Sequence, residues 1–144
     1  TGIEAADCIC NNTVQAAGIG GTWKTWISDS TTNAIDRIAD VSPWYLVDGN
    51  TKVFNNKANL TTTPIVPINT DENGDLISSG FVWTRTKIGG TADICNCNNW
   101  NSNNFQSTIG NASSSNSSWT DNSDCNVFTI NRCDNTYHIY CIEQ

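Results

Sequence analysis

Between Asn96 and Asn135 the chain places 12 asparagines and eight serines in 40 residues. A stretch so polar cannot bury enough apolar surface to offset the entropy of ordering it. It is nevertheless punctuated by Trp100, Phe105, Trp119, Cys125, Phe128 and Cys133. Those interruptions predict an anchored, loop-rich surface rather than a free tail. The remainder is ordinary enough to fold: 38% of the 144 residues are hydrophobic, and a single domain of this length buries roughly two-thirds of its unfolded surface. Residues 1–144 therefore read as one domain, without internal repeat or linker. The longest apolar runs, Trp44 to Val47 and Ile139 to Ile142, span four residues, too few for a membrane-spanning helix. Fourteen acidic against seven basic side chains give a net charge of −7 and an isoelectric point near 4.3, which repels phosphate backbones and excludes general nucleic-acid binding. Neither a basic n-region nor an apolar h-region opens the chain, which reads as a mature protein or an excised domain.

The first half carries periodic signals. Thr1 and Glu4 have capping-box spacing, and Ala6, Cys10, Val14 and Ala17 form one helical stripe ended by Gly18, predicting a helix over about 2–17. Cys8 lies about 200° around that helix from Cys10, so their sulfurs cannot share a partner. Trp23–Ser28 is rich in strand formers. A short helix is expected at Ala34–Ala39, with Asn33 as cap and Ile35, Ile38 and Ala39 facing inward. Trp44–Val47 and Thr51–Phe54 flank Asp48-Gly49-Asn50, a hairpin signal. Pro64 and Pro67 keep their segment extended and off a central strand. Phe81–Thr86, Asn126–Ile130 and Tyr137–Ile142 read as further strands. One long helix, one short helix and about six strands imply an α+β domain with a long, loop-rich C-terminal half.

The segment Gly18-Ile19-Gly20-Gly21-Thr22-Trp23-Lys24-Thr25-Trp26-Ile27-Ser28, preceded by Cys10, resembles the helix-to-strand region of endostatin-type domains. Asp48-Gly49, Val82-Trp83, Cys97-Asn98-Asn99-Trp100, and Cys133 with Cys141-Ile142-Glu143 follow in matching order. The resemblance spans nearly the whole chain and implies the C-type-lectin-like fold, built of antiparallel strands. It further implies two disulfides, Cys10–Cys141 and Cys97–Cys133, each contributing about 2–4 kcal/mol by constraining the unfolded chain. Cys95 and Cys125 would form a third bridge, leaving Cys8 as the odd thiol. Spacing by itself does not choose among the pairings. Persistent disulfides imply an oxidising, extracellular or virion- or cell-surface location.

The asparagine tract is similar to the diversified region of variable proteins of diversity-generating retroelements, which share that fold. Asparagine codons begin with two adenines, so adenine-specific mutation turns them into many residue types without stop codons. The chain thus resembles such a variable protein, of archaeal or archaeal-virus type, with a variable region at about 95–136 and Trp, Gly and Cys positions as the constant scaffold. The resemblance implies a non-enzymatic receptor-binding or adhesion domain whose ligand is a protein or glycan on another cell surface. The alternative is an undiversified, secreted carbohydrate- or matrix-binding module of the same fold, with or without calcium.

Catalytic chemistry lacks a constellation. His138 is the single histidine, no Gly-x-Ser-x-Gly elbow is present, and its neighbours Cys133 and Cys141 are the ones expected to be bridged. His138 therefore reads as structural, and no catalytic residue or cofactor is expected. Cys8-x-Cys10 with Cys95-x-Cys97 has the wrong spacing for a four-thiolate zinc site. Asp71-Glu72-Asn73-Gly74-Asp75 puts its glycine fourth rather than sixth for a calcium loop, and Asp121-Asn122-Ser123-Asp124 lacks its carboxylate partner motif, so no metal set is expected. Asn11, Asn59, Asn111 and Asn116 begin glycosylation sequons, about the number such a composition produces by chance. Trp23, Trp26, Trp44 and Trp83 are expected in the core, and Trp100, Gly110 and Trp119 beneath loops. The ligand-facing set is expected to be Asn98, Asn99, Asn101, Asn103, Asn104, Phe105, Asn116, Asp121, Asn122, Asn126 and Phe128: adaptable polar groups around aromatic anchors.

Overall fold

Ile3, Ala6, Cys10 and Val14 form the buried stripe of helix α1 (Gly2–Ala16). In the computed structural model, which describes residues 2–78, 80–123 and 130–144, that helix stops as its sequence predicts. Gly18 takes a φ of +75°, Ile19 N donates to Val14 O at 2.8 Å and Gly18 N to Gln15 O at 3.0 Å. This paired closure satisfies two terminal carbonyls. Thr1 of the expected capping box lies outside the described residues.

The chain then enters strand β1 (Trp23–Thr25), which pairs antiparallel with the last strand, β6 (Cys141–Glu143), in the register Trp23↔Glu143 and Thr25↔Cys141. A disulfide between Cys10 and Cys141 fastens α1 onto the same pair. The Asp7 carboxylate accepts from Thr25 N at 2.9 Å and pairs with Arg37. Both ends of the chain are thus locked into one unit, and Cys8, on the other face of α1, is an exposed free thiol.

Helix α2 (Ala34–Arg37) is shorter than expected. Ile38 turns extended (φ −85°, ψ 125°), which still carries its side chain into the core but leaves Ala39 exposed, not on the inner face. Asn33 holds the cap position without capping: its Oδ1 accepts from Ala92 N, and the Ser28 hydroxyl accepts the Ala34 N–H instead. Strands β2 (Trp44–Tyr45) and β3 (Lys52–Phe54) form the expected hairpin. At its tip Asp48 Oδ1 accepts from Asn50 N and Thr51 N, both at 2.8 Å.

Strand β4 (Phe81–Trp83) pairs antiparallel with β5 (Ile109–Asn111). The ladder was expected to reach Thr86, but Arg85 adopts a φ of +47° and breaks the alternation. Likewise only Trp23–Thr25 of the expected Trp23–Ser28 run is regular strand, because Trp26 and Ser28 bond singly to different partners, Tyr140 O and Thr84 O. At the C-terminal end the regular pairing begins at Cys141 rather than Tyr137; His138 instead makes an isolated parallel bridge to Val82. The expected strand Asn126–Ile130 falls almost wholly outside the described residues.

Among the described residues, three two-stranded antiparallel ladders, the helices α1 and α2 and two short 3₁₀ turns make a mixed α+β domain. Its core gathers Trp26, Ile38, Phe54, Leu60, Val82, Trp119 and Tyr140. Trp119 is fully buried, with ring centroids 5.2 Å from Trp26, 5.3 Å from Phe54 and 5.6 Å from Tyr140. The expectation that it merely anchors a loop is corrected: it is the hub of the core. Trp23 and Trp83, expected in the core, are only half-buried. Hydroxyls thread the same interior. Thr84 Oγ1 donates to Thr120 O, Thr120 Oγ1 to Thr86 O, and Trp26 Nε1 to Thr120 Oγ1, so these three buried groups find partners inside. No helix among the described residues is long and apolar enough to cross a membrane.

Candidate ligand-binding face

The sequence Asn96-Cys97-Asn98-Asn99-Trp100 folds into a single left-handed turn. Cys97, Asn98, Asn99 and Trp100 have φ of +45°, +51°, +55° and +64°. Left-handed helical backbone costs an L-residue about 1–2 kcal/mol each, least for asparagine, whose side chain bonds locally. The turn is held from several directions. Cys97 is bridged to Cys133. Asn96 O accepts from Trp100 N at 3.0 Å, and Cys97 O accepts from Ser102 N at 3.0 Å. Asn99 Oδ1 accepts from Ser30 N at 3.0 Å, and Trp100 Nε1 donates to Ser28 O at 2.9 Å. These ties reach back to the loop after β1, so the turn is fixed to the scaffold and not only to itself.

Beyond the turn, Cys97 N donates to Gln106 O and Cys133 N to Phe105 O. Gln106 also bridges Arg132. This short layer lifts the intervening residues outward: Asn98, Asn101, Asn103 and Asn104 are exposed, Asn99 is half-buried, and Phe105 is 57% exposed. Phe105 shares a shallow cleft with Asn96, Asn104, Arg132 and Ile94, which is 84% exposed. Arg132 itself pairs with Asp134. Cys95, on the wall of this cleft, is disulfide-bonded; its expected partner Cys125 lies outside the described residues.

The remaining expected positions belong elsewhere. Asn116 is exposed, but its Oδ1 accepts from Ser118 N at 2.9 Å and caps the 3₁₀ turn Ser117–Trp119. Asp121 and Asn122 are half-buried, with Asp121 Oδ2 accepting from Ile88 N and Asn122 N donating to Ile109 O. Gly110 lies flat beneath this loop, where a β-carbon would overlap the Trp119 carbonyl. Asn126 and Phe128 lie outside the described residues. Six of the eleven positions, Asn98 through Phe105, thus share one loop.

No protein-family model matches the chain, and no curated protein matches it.

Beside the left-handed turn runs a row of rings that sequence reasoning assigned to other tasks. Trp100 meets Trp83 edge-on at 5.8 Å between centroids, Trp83 meets Tyr137 at 4.8 Å, and Tyr137 meets Phe81 at 5.4 Å. All four are half-buried. A signal was present: Phe81 and Trp83 are two apart in a strand and share one face, while Val82 between them is buried on the other. What no local pattern shows is that Tyr137 and Trp100 complete the row from distant segments.

Electrostatics beneath the loop rest on Asp93, which is 4% exposed. Burial opposes its ionisation, but the Thr108 hydroxyl, the Ile94 amide and Lys87 at 3.2 Å more than offset this and hold its carboxyl below the ordinary range. Arg85, buried and facing Asp29 and Asp93, has its guanidinium pKa pulled down by burial, partly offset by those carboxylates. The acidic segment Asp71–Asp75 is occupied by its own turn: Asp71 Oδ1 accepts from Asn73 N and Asp75 N, both at 2.9 Å. Among the described residues no three His, Cys, Asp or Glu side chains converge as a metal set. His138 holds its place through backbone bonds to Phe81 and Trp83 while its side chain is exposed.

Proposed function

We propose that this chain is a non-enzymatic ligand-binding domain, used for receptor binding or adhesion outside a cell or on a virion. Its scaffold is of the C-type-lectin-like kind, and its Asn-rich loop is the diversified binding face of a retroelement variable protein. The observation that carries the reading is the loop Asn98–Phe105. It offers exposed amides and one exposed ring on a backbone clamped by the Cys97–Cys133 bridge. Exposed side chains on a rigid base can change identity with little effect on folding, which is what diversification requires. Asparagine and serine supply donors and acceptors at little entropic cost, and aromatic anchors supply contact area. The bridges Cys10–Cys141 and Cys97–Cys133 support an oxidising location.

The row Phe81–Tyr137–Trp83–Trp100 favours a second reading, an undiversified carbohydrate-binding module that stacks sugar rings on half-exposed aromatics. The test replaces Asn98, Asn101, Asn103, Asn104 and Phe105 together. The variant and the parent, both multimerised, are then applied to a glycan array and to a panel of microbial cells. A stability change within about 1 kcal/mol with an altered binding pattern supports the proposal. Unfolding, or an unchanged pattern lost only on replacing Trp83, replaces it with the second reading. Sequencing the flanking DNA for a reverse-transcriptase gene and an adenine-rich template repeat tests the diversification directly.

A further inference from the structure

The end of α1, the β2–β3 hairpin, segment 68–77 and strand β6 surround a cleft of about 550 Å3. None of its lining residues belongs to the loop at 96–106, so it is separate from the face described above. The walls reach the core at Val53, Val82, Ala112 and Ile142, all buried. Tyr45, 44% exposed, and half-buried Trp23 also line it. A cleft of this volume, apolar at its centre and edged by polar groups that include His138, has the size and character of a small-molecule site, for which about 300–1,000 Å3 is usual.

Its charges are one-sided. Asp71, Glu72 and Glu143 line the cleft, whereas no lysine or arginine does. Asp71 is engaged by the amides of its own turn. Glu72 and Glu143 have no ion-pair partner among the described residues, where the ion pairs go to Asp7, Asp93 and Asp134. Carboxylates without counter-ions beside an apolar cavity attract a cation that brings its own apolar body, and aromatic faces add cation–π attraction. The walls are also preset. Trp44 Nε1 donates to Glu143 O at 3.0 Å, Trp23 Nε1 to Gly20 O at 2.9 Å, and the Cys10–Cys141 bridge holds β6 in place. A ligand would therefore spend little of its affinity on ordering the site.

We infer that this cleft binds a small molecule with an apolar body and a cationic head, an alkyl- or arylammonium. The apolar body fills the space over Val53, Val82 and Ile142, and the head lies near Glu72 and Glu143.

Isothermal titration with octylammonium, octanol and octanoate tests the charge preference, and amide shifts in NMR locate the site. Octylammonium should bind about tenfold more tightly than octanol, with octanoate weakest. Shifts should centre on Val14, Ile68 and Ile142. The pair Glu72→Gln and Glu143→Gln should bring octylammonium to the affinity of octanol. Thr13→Trp, at the wall on α1, should weaken all three probes without lowering the melting temperature. Raising salt from about 50 to 500 mM should weaken octylammonium alone, a check that needs no variant. The proposal is overturned by octanoate binding as well as octylammonium, by a preference that survives the double variant, by shifts centred elsewhere, or by no saturable binding.

Discussion

Trp100 meets Trp83 edge-on, 5.8 Å between ring centroids, so the left-handed turn ends against the half-buried aromatic face of β4. The contact joins two parts of the proposed binding face that are unlike in chemistry: an exposed polar loop and an aromatic row set by strand geometry. Trp100 is positioned by its indole N–H on Ser28 O at 2.9 Å. Replacing Trp100 by Phe, which keeps a ring but loses that donor, should cost about 1 kcal/mol in chemical denaturation. It should also shift the amide resonances of Asn98 and Asn99 more than those of β1.

Backbone strain in the turn makes a sharper case. Asn98 has a φ of +51° and an exposed side chain. Asn98→Gly should leave the unfolding free energy within about 0.5 kcal/mol, whereas Asn98→Val should cost about 1–2 kcal/mol. Equal effects of the two substitutions would show that the left-handed conformation is not the native one.

The two aromatic roles separate on truncation. Trp119 is fully buried at the centre of the core and Trp83 is half-buried beside the loop. Trp119→Ala should cost about 3–5 kcal/mol and abolish cooperative unfolding in a marginal domain. Trp83→Ala should cost well under half of that, measured by urea denaturation monitored in the far ultraviolet.

The disulfides differ in span. Cys10–Cys141 closes a separation of 131 residues and Cys97–Cys133 one of 36. On the chain-entropy account, Cys→Ala pairs should lose about 5 and about 4 kcal/mol respectively. Loss of the second should also release the left-handed turn, so its effect should be visible in the chemical shifts of Asn98–Trp100. Iodoacetamide applied without denaturant should alkylate Cys8, the exposed free thiol, while leaving Cys10, Cys97, Cys133 and Cys141 unmodified.

Acid stability should depend on Asp93. Its carboxyl is held below the ordinary range by the Thr108 hydroxyl, the Ile94 amide and Lys87, against the opposing effect of burial. Folding is therefore favoured by ionised Asp93 at any pH above its unfolded value of about 3.9. That contribution is lost as pH falls through the lower folded value. Thr108→Val, which removes the hydroxyl at 2.5 Å from Asp93, should lower the melting temperature at neutral pH and make its decline below about pH 4 shallower.

Local signals in the chain sufficed wherever a short run of residues determines its own conformation. The stripe Ile3, Ala6, Cys10 and Val14 with Gly18 behind it made α1 and its end legible, and Asp48-Gly49-Asn50 did the same for the hairpin. The exposure of Asn98, Asn101, Asn103 and Asn104 followed from their polarity. The disulfides Cys10–Cys141 and Cys97–Cys133 were reached through family resemblance, since spacing alone allows many pairings. Tertiary structure alone decided that Trp119 is the hub of the core while Trp83 stays half-buried beside Trp100 and Tyr137. Every tryptophan offers the same apolar area, and its burial depends on which distant segments close over it. It also decided that four successive residues turn left-handed. Asparagine merely permits that conformation; the bridge from Cys97 to Cys133 and the bonds to Ser28 and Ser30 hold it against its cost.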